Sequence, residues 1–303
     1  MPLDFQGVKA KVLFSPSWIY TTTHADANLP AAVLRHYQVV FDYPALHLTL
    51  AQPMSLTPRG TRAPATVHPQ TGIVQIDAVV DGDSMSFALD IGASYSFASR
   101  EVVDSLARRH PDWPLQTGAL GCANIWGWWP DEAAWPVLRV PEIQWGPMRL
   151  TGVGVAGLPG FFGSGASLGD WYSQKTARPV VGFLGPNAVK GYRIEIDYAG
   201  GAVYFEKGAE RDTHDMDMVG LTLQPQPDGS YQVLGVAKKE GQPSAEGMEA
   251  GDALVQVGGL RTTGVTMGAV VDALRGRPGE ARVLTLRRGG KEITVKAKVG
   301  SFL

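Results

Sequence analysis

The chain of 303 residues holds a single cysteine, Cys122. One thiol excludes an intrachain disulfide framework and a CxxC metal site. With no basic or histidine neighbour to activate it, Cys122 reads as a small packed apolar residue. Acidic and basic residues nearly balance at a net charge of −2, and no basic cluster stands out. Nucleic acid is therefore not an expected partner. No apolar run is long enough to cross a bilayer. The stretch after Met1, PLDFQGVKAKVLFSPSW, lacks a basic flank followed by an apolar core, so no secretory leader is legible. Read from Met1, the cytoplasm is expected; an incomplete N-terminus would instead make export to the periplasm the expectation. The six histidines, His24, His110 and His214 among them, lack ligand spacing such as HExxH. No metal or cofactor is expected.

Glycine (37) and proline (21) are abundant, and charged residues make up only 18% of the chain. Many turns and short strands fit that composition better than long helices, so a mainly β chain is expected. Two polar stretches break the chain: the Pro-rich PRGTRAPATVHP (58–69) and the charged EKGAERDTHDMD (206–217). GIVQIDAVVDGDSMSFAL alternates about an Asp81-Gly82 turn and reads as a hairpin. SREVVDSLARR (99–109) reads as a helix capped by Ser99, with Val102, Val103 and Leu106 as its stripe. Strands are expected over 136–144 and 148–155. A second helix is expected over 267–275, capped by Thr266 with Val270, Val271 and Leu274 inward. A hairpin through Gly289-Gly290 follows it.

A repeat emerges when YRIEIDYAGGAVYF, from Tyr192, is set over YQVVFDYPALHLTL, from Tyr37. At this offset of 155 residues Tyr, Asp and Tyr coincide and the apolar positions align. LGPNAVKG lies over LPAAVLRH just before. A helical turn followed by a hairpin thus occurs twice, as duplication would produce.

The stretch carrying chemistry is SFALDIGASYSF, Ser86 to Phe97. Three apolar residues run straight into Asp90. A carboxylate at the end of a buried strand is costly unless something uses it. Gly92 lets another backbone approach, and Ala93 and Ser94 leave room. A lone buried carboxyl stays protonated, whereas two in contact share one proton. One then takes a proton from water while the other donates to a carbonyl oxygen.

ALDIGASYSFAS resembles the Asp-Thr/Ser-Gly signature of retropepsin-like aspartic peptidases. GFLG (182–185) resembles that lobe's second signature, and YRIEIDYAGGAVYFEK its closing hairpin. VGLTL (219–223) and QPSAEGMEAGDALVQVGGL (242–260) are similar to the carboxylate-binding loop and the following run of a bacterial-type PDZ domain. The resemblance implies a mainly β fold: a partial N-terminal lobe (1–57), a linker (58–65), a retropepsin-like β-barrel lobe (66–207), a linker (208–215) and a PDZ domain (216–303). It implies an aspartic endopeptidase acting on peptide or protein substrates, most active at acid pH. Asp90 is the expected catalytic acid, with Ile91, Gly92, Ala93 and Gly185 supporting its loop.

Two departures stand out. Ile91 occupies the place of the family's Thr or Ser and cannot donate the hydrogen bond that locks two such loops together. Only one Asp motif is present. The second carboxylate is then expected from a homodimer partner, from an N-terminal lobe outside this sequence, or not at all. The last case leaves a peptide-binding protein that does not cut. Trp126 and Trp128, in NIWGWWPDEAAW, are the candidate flap over a substrate, or else cover for a sheet edge. Val219, Gly220, Leu221 and Leu223 are the expected peptide-binding residues of the PDZ groove, unless that domain is only a spacer. GASLG (165–169) matches G-x-S-x-G, but Ser167 lacks the flanking strand and helix that a serine nucleophile needs.

Overall fold

Asp81 and Gly82 both sit at positive φ (54° and 79°), as a two-residue hairpin loop requires to match the twist of its strands. They join β5 (Val74–Val80) to β6 (Asp83–Leu89); strands and helices are numbered in chain order. The structure is a computed structural model and describes residues 29–93, 95–117, 135–159, 173–209, 212, 214–239 and 242–303.

β5 and β6 belong to a closed barrel with β7 (Ser96–Ser99), β9 (Pro136–Trp145), β10 (Met148–Leu158) and β11 (Gly182–Leu184). Its order is β5-β6-β11-β7-β10-β9, and pairing of Val79 with Gln144 closes the ring. β4 (Thr66–Val67) lies beside β5, and β8 (Leu115–Thr117) beside β9. β11 threads between β6, to which it is parallel, and β7, to which it is antiparallel. Helix α2 (Arg100–Arg109) follows β7. The Ser99 side chain caps it by accepting from the Val102 amide, and Val103 and Leu106 are buried. Glu101 in its first turn and Arg108 and Arg109 in its last match the helix dipole.

Beside the barrel lies a five-stranded sheet of order β2-β1-β12-β13-β3: β1 (Gln38–Asp42), β2 (His47–Ala51), β3 (Thr61–Pro64), β12 (Tyr192–Asp197) and β13 (Ala202–Lys207). The Pro-rich 58–65 stretch is therefore not slack chain. Thr61–Pro64 pairs with β13 as an edge strand, where proline is tolerated, and Ala63 is fully buried.

The repeat is a geometric one. α1 (Ala31–Leu34) and α3 (Pro186–Val189) are related by the same 155-residue offset. Val39 pairs with Leu50, and Ile194 with Phe205, the same register in both hairpins. The two copies also pair with each other, from Gln38↔Asp197 to Asp42↔Arg193. Under the offset each of these pairs maps onto another, and Val40↔Glu195 maps onto itself. A local two-fold axis therefore passes through that central pair. Two offset-related residues flank it: Gln38 Nε2 donates to Glu195 Oε1 at 2.5 Å, and Arg193 Nη2 to Oε2 at 3.0 Å. In the 29–57 segment Val39 pairs with Ile196, and Phe41 packs against the barrel-side core with Ile194 and Phe205.

The C-terminal unit has a second sheet, β15 (Leu221–Pro225), β16 (Tyr231–Val236), β19 (Ala253–Val257), β21 (Ala281–Arg288) and β22 (Lys291–Lys298) in that order, with β20 (Leu260–Arg261) off β19. Two small pairs complete it: β14 (Asp217–Met218) with β23 (Gly300–Ser301), and β17 (Lys238–Lys239) with β18 (Gln242–Pro243). Helix α4 (Met267–Leu274) is capped by Thr266, which accepts from the Ala269 amide. Met267, Val270 and Leu274 are its buried residues, and Val271 is half-buried. Gly289 and Gly290 make the expected tight turn, both at positive φ.

Candidate active site

β6 is buried along Phe87-Ala88-Leu89 and delivers Asp90 half-buried to its end. The threading of β11 fixes this spot. The Asp90 amide donates to the Leu184 carbonyl at 2.9 Å, and the Ala93 amide to the Asp90 carbonyl at 3.2 Å. The chain therefore turns at once, and the Gly92 amide donates to Asp90 Oδ1 at 3.1 Å.

Gly185 lies between β11 and α3, as the residue just before the helix. A side chain there is impossible: a Cβ would lie 2.2 Å from the Tyr95 carbonyl oxygen. That close approach is why the strand after the acid loop needs glycine. The Gly185 amide donates to Ser96 Oγ (2.9 Å), Ser96 Oγ to Asn187 Oδ1 (2.7 Å) and Asn187 Nδ2 to the Gly154 carbonyl (2.9 Å). This buried chain of bonds ties β7, α3 and β10 together directly behind the acid turn. Ser96 and Asn187 were not singled out by sequence. The GPN that follows GFL was their only signal.

Ile91 has no hydroxyl, and its half-buried side chain packs against the barrel-side core. Its carbonyl faces the Tyr43 phenol, which donates to it at 3.5 Å. Burial first, and the Asp90 charge second, push the Tyr43 phenol above the ordinary tyrosine range. Tyr43 sits in the turn between β1 and β2, so the N-terminal repeat reaches the acid loop. Its offset partner Tyr198 is also raised by burial. Ala93 packs against the core on the opposite side, and Gly92 is exposed.

The four residues expected to bind a peptide are all buried. The Val219 amide donates to the Leu274 carbonyl (3.0 Å), which pins the loop to the end of α4. Gly220 lies against Phe302 and Ala237; a Cβ there would meet their side chains at 2.7 and 2.5 Å. Leu221 and Leu223 point into the core of the C-terminal unit, on the outermost strand of its sheet. Trp126, Trp128, Ser167 and Cys122 lie outside the described residues. Among the described residues no group of three or more His, Cys, Asp or Glu is arranged to hold a metal, and no helix is long and apolar enough to cross a membrane.

No family model and no curated protein matches the chain. Among solved structures, a photosystem II D1 C-terminal processing protease is similar at 24% identity over 28% of this chain, with a TM-score of 0.25. The chain spans 23% of that protein's length. A likeness of that size carries no argument, and the functional reading rests on the geometry around Asp90.

Proposed function

We propose that the chain is a peptide hydrolase of the aspartic type, with Asp90 as one of two acting carboxylates and a PDZ-like C-terminal unit that holds peptide. The observation that carries this reading is the acid turn itself. A strand-end carboxylate is half-open to solvent, held by a backbone amide and backed by the Gly185–Ser96–Asn187 bonds. Such rigidity keeps an acid–base group in a fixed place.

The second carboxylate would come from a lobe related to this one by two-fold symmetry, supplied by a second copy of the chain or by a further segment. The axis through Val40 and Glu195 supports such a lobe. With one proton shared between the two acids, the ionised one takes a proton from water as its oxygen adds to the peptide carbonyl. The protonated one gives its proton to the carbonyl oxygen. As the C–N bond breaks, the acid that took water's proton gives it to the leaving amine, and a hydroxyl of the tetrahedral intermediate returns its proton to the other acid, which restores the shared proton.

A second reading is peptide binding without cleavage, and Ile91 favours it, because no hydroxyl is there to lock two acid loops together. One experiment separates the two. Purified protein is incubated with a denatured protein substrate across acid and neutral pH. Cleavage that is strongest on the acid side, and that Asp90→Asn lowers about 10²–10⁴-fold, supports hydrolysis. Cleavage unchanged in Asp90→Asn overturns it. Tight peptide binding without turnover at any pH decides for the second reading.

A further inference from the structure

By composition the 206–217 stretch reads as a solvated tether, but two of its acids, Asp215 and Asp217, have buried side chains. The Asp215 side chain is 6% exposed. Its Oδ1 pairs with Arg139 Nη1 at 2.8 Å, and its Oδ2 accepts from the Tyr95 hydroxyl at 3.2 Å. Arg139, on β9, is itself buried and also donates to the Gly152 carbonyl at 3.1 Å.

Tyr95 is the last residue before β7, five positions after Asp90, and its carbonyl is the one that meets Gly185. Its ring lies across β10 at Gly154, where a Cβ would come within 1.8 Å of the hydroxyl. Only glycine there lets the phenol reach Asp215.

The residues beside Asp215 belong to the other unit. Met216 is fully buried in a core that joins Phe97, Trp135 and Val137 of the barrel to Met218 and Leu274. The Asp217 amide donates to the His214 carbonyl, and Asp212 pairs with Arg275 after α4. The segment is thus held from both sides.

We propose that Asp215 is a positioning residue for the acid turn. It fixes Tyr95, and through Tyr95 the run from Asp90 to Ser96, so that docking of Asp215 onto the barrel is a condition for correct placement of the Asp90 carboxylate. Removing Asp215 takes the ion-pair partner from a buried guanidinium and an acceptor from a buried phenol, and each loss is costly. The loop then relaxes toward water. The inference builds on the role assigned to Asp90, but its first test does not need activity.

In the full chain, hydrogen exchange is followed in peptides covering 86–97 for wild type, Asp215→Ala, Tyr95→Phe and Gly154→Ala. Asp212→Asn is the control: it weakens the tie to Arg275 and leaves Asp215 with Tyr95 and Arg139. Tyr95→Phe removes one hydroxyl and keeps the ion pair, so it separates positioning from loss of fold. Exchange in 86–97 is expected to rise about tenfold in the three test variants, the scale of one lost buried hydrogen bond, and to stay at the wild-type rate in Asp212→Asn. Under the hydrolase reading, Tyr95→Phe also lowers kcat about tenfold with KM unchanged. Wild-type exchange in both Tyr95→Phe and Asp215→Ala overturns the proposal, as does equal acceleration in Asp212→Asn. An absence of hydrolysis in wild type with the exchange pattern intact overturns the catalytic reading alone.

Discussion

Two acids at strand ends, Asp90 and Asp252, are held in different ways. Asp252 stands at the start of β19 and is 1% exposed. Arg288 holds it in a fork, Nε to Oδ1 at 2.7 Å and Nη2 to Oδ2 at 2.8 Å, and the Glu249 amide adds a third bond at 2.9 Å. The bond to Arg288 holds its carboxyl below the usual range. Asp90 is half-open, and the Gly92 amide two residues on donates to its carboxylate. An acid committed to a guanidinium fork is fixed as an anion and serves the fold. An acid held by a backbone amide at a half-exposed strand end stays in contact with water.

The sharpest way to break that contrast is to exchange roles for amides. Asp90→Asn is expected to leave the unfolding midpoint near wild type while hydrolysis falls about 10²–10⁴-fold; assays of cleavage and thermal unfolding on one preparation check both halves. Asp252→Asn is expected to do the reverse, lowering the urea midpoint of the C-terminal unit because one member of a buried pair is lost.

The pH dependence follows from the sign of the Asp252 shift. Its folded-state value lies below the unfolded one, so its contribution is fully present above the ordinary Asp value of about 3.9. It is lost as pH falls from there through the folded value. Acid titration of the C-terminal unit by circular dichroism should show that limb in wild type and lose it in Asp252→Asn.

Smaller effects sharpen the account of the acid turn. Asn187→Ala removes the link between Ser96 and the Gly154 carbonyl. It is expected to cost about 1–3 kcal/mol in urea denaturation, as for a buried group left unsatisfied. Tyr43→Phe loses only a long bond to the Ile91 carbonyl and is expected to cost about 1 kcal/mol or less. A larger loss from Tyr43→Phe would mean that the N-terminal hairpin, more than the Ser96 network, holds the loop.

Much of this was legible in the chain. Asp81-Gly82 and Gly289-Gly290 announce hairpins because few other residues accept positive φ. Ser99 and Thr266 announce helix starts because their hydroxyls satisfy free amides. The spacing of the two glycines in GFLG marks a strand squeezed against its neighbours, and the Tyr37 and Tyr192 stretches announce a duplication. Other features were not legible. The Leu221 and Leu223 side chains fit an open groove and a closed core equally well by sequence. Asp215 reads as one more charge in a polar run.

Local signals sit in contiguous residues, because backbone angles and strand alternation are set within a few positions. The sequence by itself therefore determined the turns, the caps and the Asp90 strand end. Tertiary structure alone decided that the two repeats pair about an axis through Val40 and Glu195, that Tyr43 reaches Ile91, and that Asp215 clasps Tyr95 and Arg139. Those partners lie far apart along the chain, and no periodicity links them. Only closure of the barrel and burial of the segment at 215–218 bring their polar groups within bonding distance, where leaving them unpaired would be costly.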